Sequence, residues 1–168
     1  MKNILLTIFV GALLMALITD NSEAQFKKAG LFLGPNLTLA TTPIGFGGDI
    51  EYGITDNFGL GGYLRYWGRS EAGWSWSVII PQAQGAYHFM PRNELDPYVG
   101  ARLGYAIFST SGTYSGSSGS DLFLTGVGGL RYYLSPKVSL NGSLEFRIGG
   151  TDYFGTGLGL VAGVDFTL

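Results

Sequence analysis

The chain has 168 residues, of which 13% are charged and 14% aromatic, with 28 glycines and no cysteine. That charge share is about half of what a soluble domain carries, and a formal net charge of -2 argues against a nucleic-acid partner held by bulk positive charge. Without cysteine there is no disulfide staple, no thiolate metal site and no thiol nucleophile.

Lys2 is followed by an apolar run over residues 4–18, broken only by Thr7 and Gly11, and by a polar stretch ending Ser22-Glu23-Ala24. That order reads as a secretory signal peptide, residues 1–24, cleaved after Ala24. An apolar run of about 15 residues falls short of the roughly 20 that a spanning helix needs. Cleavage would remove one of the 10 basic residues (Lys2) and two of the 12 acidic ones (Asp20, Glu23). The mature domain, residues 25–168, is then close to neutral.

Eight runs of alternating residues follow. In residues 29–40, Leu31, Leu33, Leu37 and Leu39 oppose Phe32, Gly34, Asn36 and Thr38, and Pro35 marks a local irregularity because it lacks a ladder donor. The stretch EYGITDNFGLGGYLRY, residues 51–66, is two such runs around Thr55-Asp56-Asn57 and reads as a β-hairpin. Residues 75–89 set Ile79, Ala83, Tyr87 and Phe89 against Gln82, Gln84 and His88. Residues 97–109 set Val99, Ala101, Leu103, Tyr105 and Ile107 against Gly100, Arg102 and Gly104. Residues 121–134 set Leu122, Leu124, Leu130 and Tyr132 against Thr125, Gly129 and Arg131. Residues 138–149 set Val138, Leu140, Leu144, Phe146 and Ile148 against Ser139, Asn141, Ser143, Glu145 and Arg147. Residues 155–168 set Leu158, Leu160, Ala162, Val164, Phe166 and Leu168 against Gly157, Gly159, Gly163, Asp165 and Thr167. Residues 110–120, TSGTYSGSSGS, are expected to form a mobile Ser/Gly loop. The hairpin unit recurs as YYLSPKVSLNGSLEFR, residues 132–147, so the order is an up-and-down meander.

The polar faces decide which side is inside. Facing water, they would be rich in Lys and Glu. They hold instead many glycines with Asp49, Glu51, Arg65, Arg102, Arg131, Glu145, Arg147 and Asp165. Four acids and four arginines among small residues suit a narrow interior, where buried charges must be paired. The apolar faces run uncharged for about the 9–11 residues of a spanning strand. Tyr52, Phe58, Phe89, Tyr132 and Phe166 lie near one set of strand ends, and Phe46, Tyr66, Tyr105 and Phe146 near the other. Two aromatic girdles around an aliphatic band fit an all-β, eight-stranded antiparallel transmembrane barrel. The soluble rival is an exported lipocalin-like barrel with an apolar lumen.

The alternating strands and turns of EYGITDNFGLGGYLRY, LDPYVGARLGYAIF and RYYLSPKVSLNGSLEFR resemble the small eight-stranded outer-membrane barrels, the group of the OmpA transmembrane domain and OmpX. The likeness is strongest to the outer membrane protein β-barrel domain family and covers residues 26–168. Many barrels of that group end on an aromatic residue, whereas this sequence reads VDFTL, with Phe166 two residues early. The resemblance implies location in the bacterial outer membrane and insertion by the barrel assembly machinery. It implies outer-membrane lipid or lipopolysaccharide as the surround, and a monomer. Both ends of the chain and the turns at 55–57, 90–96 and 135–137 would be periplasmic. The loops at 41–43, 70–74, 110–120 and 150–154 would face outside.

Chemistry-bearing patterns are sparse. His88, the one histidine, stands beside a turn expected to be periplasmic, so a packed or interfacial role outweighs a catalytic one. One His without Cys is a poor start for a metal site. The eight charged residues read as an ion-pair network filling the lumen, since eight-stranded barrels are packed inside. The Gly-rich pieces at 126–129 and 157–159 lack the following helix that phosphate binding needs. Trp74, Trp76, Tyr114, Tyr153 and Phe154 form a candidate contact patch for an extracellular ligand. The expected role is structural or interactive, with no catalytic residue and no cofactor. A narrow channel for ions or small solutes is the alternative.

Overall fold

The structure, a computed structural model, describes residues 26–39, 44–71, 73–112, 118–148 and 157–168. The signal peptide expected over residues 1–24 lies outside them. Eight strands form: β1 (Leu31–Thr38), β2 (Gly45–Gly53), β3 (Phe58–Glu71), β4 (Trp74–His88), β5 (Leu95–Gly112), β6 (Ser118–Ser135), β7 (Val138–Ile148) and β8 (Gly157–Thr167). Each pairs antiparallel with its neighbour in sequence, and β8 pairs back onto β1, which closes the barrel. Closure leaves no unpaired edge, the one sheet arrangement that hydrocarbon tolerates.

Alternation sorts the side chains into two sets. Leu60, Leu64, Leu103, Leu130 and Leu144 stand outward on the barrel wall, and Leu144 is 64% exposed. Arg102 and Arg131, on the opposite parity, are 1% exposed and point into the lumen. The apolar face that would be the core of a soluble protein is therefore the outer surface. The polar residues fill the inside.

Turns carry their own chemistry. Thr55 Oγ1 accepts hydrogen bonds from the backbone N–H of Asn57 (3.2 Å) and Phe58 (3.0 Å), which fixes the β2–β3 reversal. At the closing seam, Leu33 pairs with Phe166 and Asn36 with Gly163, while Gly34 and Pro35 have no β8 partner. Pro35 has no N–H to offer there. At Gly34 a Cβ would stand 2.0 Å from the Val164 carbonyl oxygen, so only glycine lets β8 approach this closely.

Two expectations are corrected. Residues 110–120 are not all loop: β5 runs to Gly112 and β6 starts at Ser118, with Ser109 paired to Ser118. The small polar side chains keep the period of two, so the ladder continues past the apolar band; residues 113–117 lie outside the described set. Asp96, assigned to a turn, is instead a strand residue facing inward and fully buried. Val138 keeps the outward parity of Leu140 in an unbroken β7–β8 register, yet is only 3% exposed.

Leu64→Lys places a charge on the outer wall and should cost about 2–4 kcal/mol if the site lies near the bilayer midplane. Urea unfolding in lipid vesicles measures it. Gly34→Val should prevent the seam from closing, read as loss of the compact, heat-modifiable band on a gel.

Candidate functional site

The barrel gathers its inward side chains in layers along its axis. At the end carrying the β2–β3 and β4–β5 turns, Phe26 is folded back into the lumen and is 1% exposed. Its ring stacks on His88 with centroids 3.8 Å apart and planes at 12°, and on Phe32 at 5.3 Å. The segment is held by the N–H of Ala29 to the Gly53 carbonyl (2.8 Å) and the N–H of Lys28 to Asp56 Oδ1 (3.1 Å). Tyr133 completes this aromatic cluster.

His88 is fully buried with both ring nitrogens engaged. Nδ1 lies 2.6 Å from Asp96 Oδ2 and Nε2 lies 3.1 Å from Glu51 Oε1. Glu51 then connects to Arg131, whose Nη2 donates to Glu51 Oε2 at 2.8 Å and whose Nε donates to Asp165 Oδ2 at 3.0 Å. The Arg131 guanidinium also sits 4.7 Å from the Phe32 ring centroid. Asp96, His88, Glu51, Arg131 and Asp165 are thus one chain of contacts drawn from β5, β4, β2, β6 and β8. Gly59 makes room for it, since a Cβ there would stand 2.3 Å from Glu51 Oε1.

A second group lies deeper. Glu145 takes Arg65 on one side, with Nη1 to Oε2 at 2.6 Å, and Arg102 on the other. Arg102 also donates through Nε to Gln84. Both guanidiniums rest against Tyr63, with Arg65 Cζ 4.6 Å and Arg102 Cζ 3.9 Å from the ring centroid. Like charges share one carboxylate here, and the ring's π-face adds a cation–π contact to each. Asp49 accepts a 2.8 Å hydrogen bond from Asn36 Nδ2 and lies within electrostatic reach of Asp165, Arg131 and Arg102, members of both groups.

Toward the opposite end the lumen turns apolar. Trp67, Val78, Ile80, Ala106 and Phe123 form a buried cluster, with Trp76 and Phe108 packed against it. Arg147 lies over the Phe123 ring at 5.5 Å.

Of the eight charges expected in the lumen, the fold places Arg65, Arg102 and Glu145 in one group and Glu51, Arg131 and Asp165 in another. Asp49 lies within electrostatic reach of both groups, and Arg147 within reach of Arg65 and Glu145. Of the candidate contact patch, Trp74 is exposed at the β4 start, whereas Trp76 is partly buried inside the mouth. Tyr114, Tyr153 and Phe154 lie outside the described residues. Sequence reasoning missed Asp96 and Phe26. Asp96 shares the parity of Tyr98 and Arg102, a signal that was present. Phe26 precedes any alternating run, so nothing in its neighbourhood marks it as buried. Among the described residues no cluster of His, Cys, Asp or Glu is arranged to hold a metal ion.

The family described as "Outer membrane protein beta-barrel domain" matches residues 10–166. No curated protein matches the chain in sequence. Among solved structures, the N-terminal β-barrel domain of Pseudomonas aeruginosa OprF is 20% identical, with a TM-score of 0.69 over 84% of this chain and 98% of that one. OprG of the same organism is 12% identical, with a TM-score of 0.66 over 88% and 99%. Ail, the attachment invasion locus protein of Yersinia pestis, is 16% identical, with a TM-score of 0.58 over 84% and 99%. At such identities the likeness carries the fold alone, and the lumen must be tested on its own residues.

Glu145→Gln leaves Arg65 and Arg102 buried without their shared counter-charge. It should cost about 3–5 kcal/mol of unfolding free energy in lipid vesicles. Glu71→Gln, which breaks the exposed 2.5 Å pair with Arg69, should cost under about 1 kcal/mol.

Proposed function

This chain belongs to the outer membrane protein beta-barrel domain family and is an integral β-barrel of the bacterial outer membrane; from that premise we propose that it is a non-conducting, monomeric barrel with a structural and contact role. In this reading the ion-paired residues seal the lumen. The ends of β3–β6 and their loops project outward and meet partners. The chain is inserted by the barrel assembly machinery and performs no catalysis.

The observation that carries the reading is the axial order of buried side chains. An ion entering from the turn end meets the Phe26–His88 stack, then two charge groups whose members are committed to one another. Beyond them lies the apolar layer of Trp67, Val78, Ile80, Ala106 and Phe123. An apolar layer is costly for a hydrated ion to cross. The outward assignment of the loop end follows the topology that the family resemblance implies. The contact role draws on exposed Trp74 at that end and on the name of Ail, an attachment protein of the same fold.

The rival reading is a narrow path for water or ions. It draws on Thr38, Gln82, Thr125 and Ser139, which hold buried polar oxygens without a protein partner and could line a hydrated thread.

Planar-bilayer recording separates the two. The proposed barrel shows no steady openings above baseline. Long-lived, ion-sized steps that persist after repurification would establish the channel.

A further inference from the structure

We propose that the outward face of the projecting β3–β6 sheet docks the uncharged saccharide of an outer-leaflet glycolipid. The proposal rests on the loop end facing outside, as inferred above.

Strands β3 to β6 are longer than the other four and continue past the aromatic girdle at Tyr66 and Tyr105. By strand parity, Ile107 is the last outward apolar residue, on one rung with Tyr66 and Ile79; the other outward positions at or beyond that rung are Gly68 and Ser70 on β3, Ser75 and Ser77 on β4, Ser109 and Ser111 on β5, and Ser118 and Ser120 on β6. Every one is serine or glycine. They are neighbours across the ladder: Ser70 pairs with Ser75, Ser75 with Ser111, Ser77 with Ser109, and Ser109 with Ser118. The charged residues of the extension, Arg69, Glu71 and Asp121, all have the opposite parity. The Tyr66 hydroxyl lies over Gly68, 2.4 Å from where a side chain would begin, so the apolar band ends where the serine face starts.

This face matches neither hydrocarbon nor bulk water. Hydrocarbon would select Leu, Val and Phe, as it does one turn of the ladder below. A water-facing surface is about a quarter to a third charged, so eight positions should hold two or three charges. Ser109 and Ser111 follow Tyr105 by four and six residues. At about 3.4 Å per residue and a tilt near 40°, they stand about 10–16 Å above the girdle. That exceeds the roughly 5–7 Å of a phospholipid headgroup layer. Phosphate would call for Lys or Arg, and this face offers none. What remains is a polar, uncharged surround that both donates and accepts hydrogen bonds. Sugar hydroxyls have that chemistry, and so does serine. Ser75 Oγ and Ser111 Oγ, 2.6 Å apart, use one of their hydrogen bonds on each other and retain acceptor sites for a ligand. The face is also continuous with the lipid-facing wall, which fixes its neighbour as the outer leaflet's own polar layer.

The chain has no native cysteine, so single cysteines report without background. Ser77→Cys and Ser109→Cys barrels would be placed in nanodiscs of phospholipid, of lipid A alone, or of lipopolysaccharide carrying core saccharide. A water-soluble maleimide then reads exposure. The proposal expects labelling at least fivefold slower with core saccharide than in the other two, and Thr110→Cys, of opposite parity, changed less than twofold. It also expects that replacing Ser70, Ser75, Ser77, Ser109, Ser111 and Ser118 by alanine lowers the glycolipid retained on purification at least threefold, with the heat-modifiable band intact. Equal labelling in all three discs overturns it. Protection already complete with lipid A assigns the face to headgroups instead, and protection that scales with protein density assigns it to a second copy. Labelling of Ser111→Cys on intact cells by an impermeant maleimide tests the orientation separately; reaction only after permeabilisation would sink the outward assignment rather than the chemistry of the face.

Discussion

Hydrocarbon offers no hydrogen bonds, and every other feature follows from that. A sheet in lipid must satisfy all its backbone groups internally, so β8 has to return to β1. The return is made at the least regular seam of the barrel, where Pro35 supplies no donor and Gly34 lets the β8 backbone come close. Closing on eight strands makes the lumen narrow. A narrow lumen in turn admits long side chains only where their neighbours are small.

That restriction explains the composition of the interior. Glycines face Glu51, and arginines reach across the axis to strands far away in sequence. Arg65 meets Glu145, and Arg131 meets Glu51, each separated by 80 residues. Buried ion pairs of this kind are weak contributors to net stability, because desolvation offsets much of the attraction. Their stronger effect is to penalise alternatives. A one-residue slip of a charge-bearing strand would turn its charge toward lipid and leave a partner alone inside. The two groups, joined to β2, β3, β4, β5, β6, β7 and β8, therefore hold the register of nearly the whole barrel.

The fold was legible because the signal is redundant. Seven to nine apolar positions per hairpin repeat at a period of two, and the polar parity is poor in lysine. The inward charges were legible for the same reason, as with Glu145 and Arg147 beside Leu144 and Phe146. What could not be read is which charge meets which. Arg131 and Glu51 come together through tilt and stagger, quantities that belong to the closed barrel and to no local stretch. Asp96 was lost to a turn because Pro97 and Asp96 look like loop residues. The Ser/Gly run at 110–120 was lost because low complexity hides a ladder as well as it marks a loop. Phe26 lies outside every periodic segment, and only the assembled lumen gives it a place beside His88.

The lumen charges act on one another directly, across the barrel, rather than lying near each other by chance. A double-mutant cycle on Glu51 and Arg131, using Glu51→Gln and Arg131→Gln with unfolding free energies in lipid vesicles, tests it most directly. A coupling above about 1.5 kcal/mol is expected, with the double variant less damaged than the sum of the singles. Strict additivity, a coupling within about 0.3–0.5 kcal/mol of zero, would contradict it.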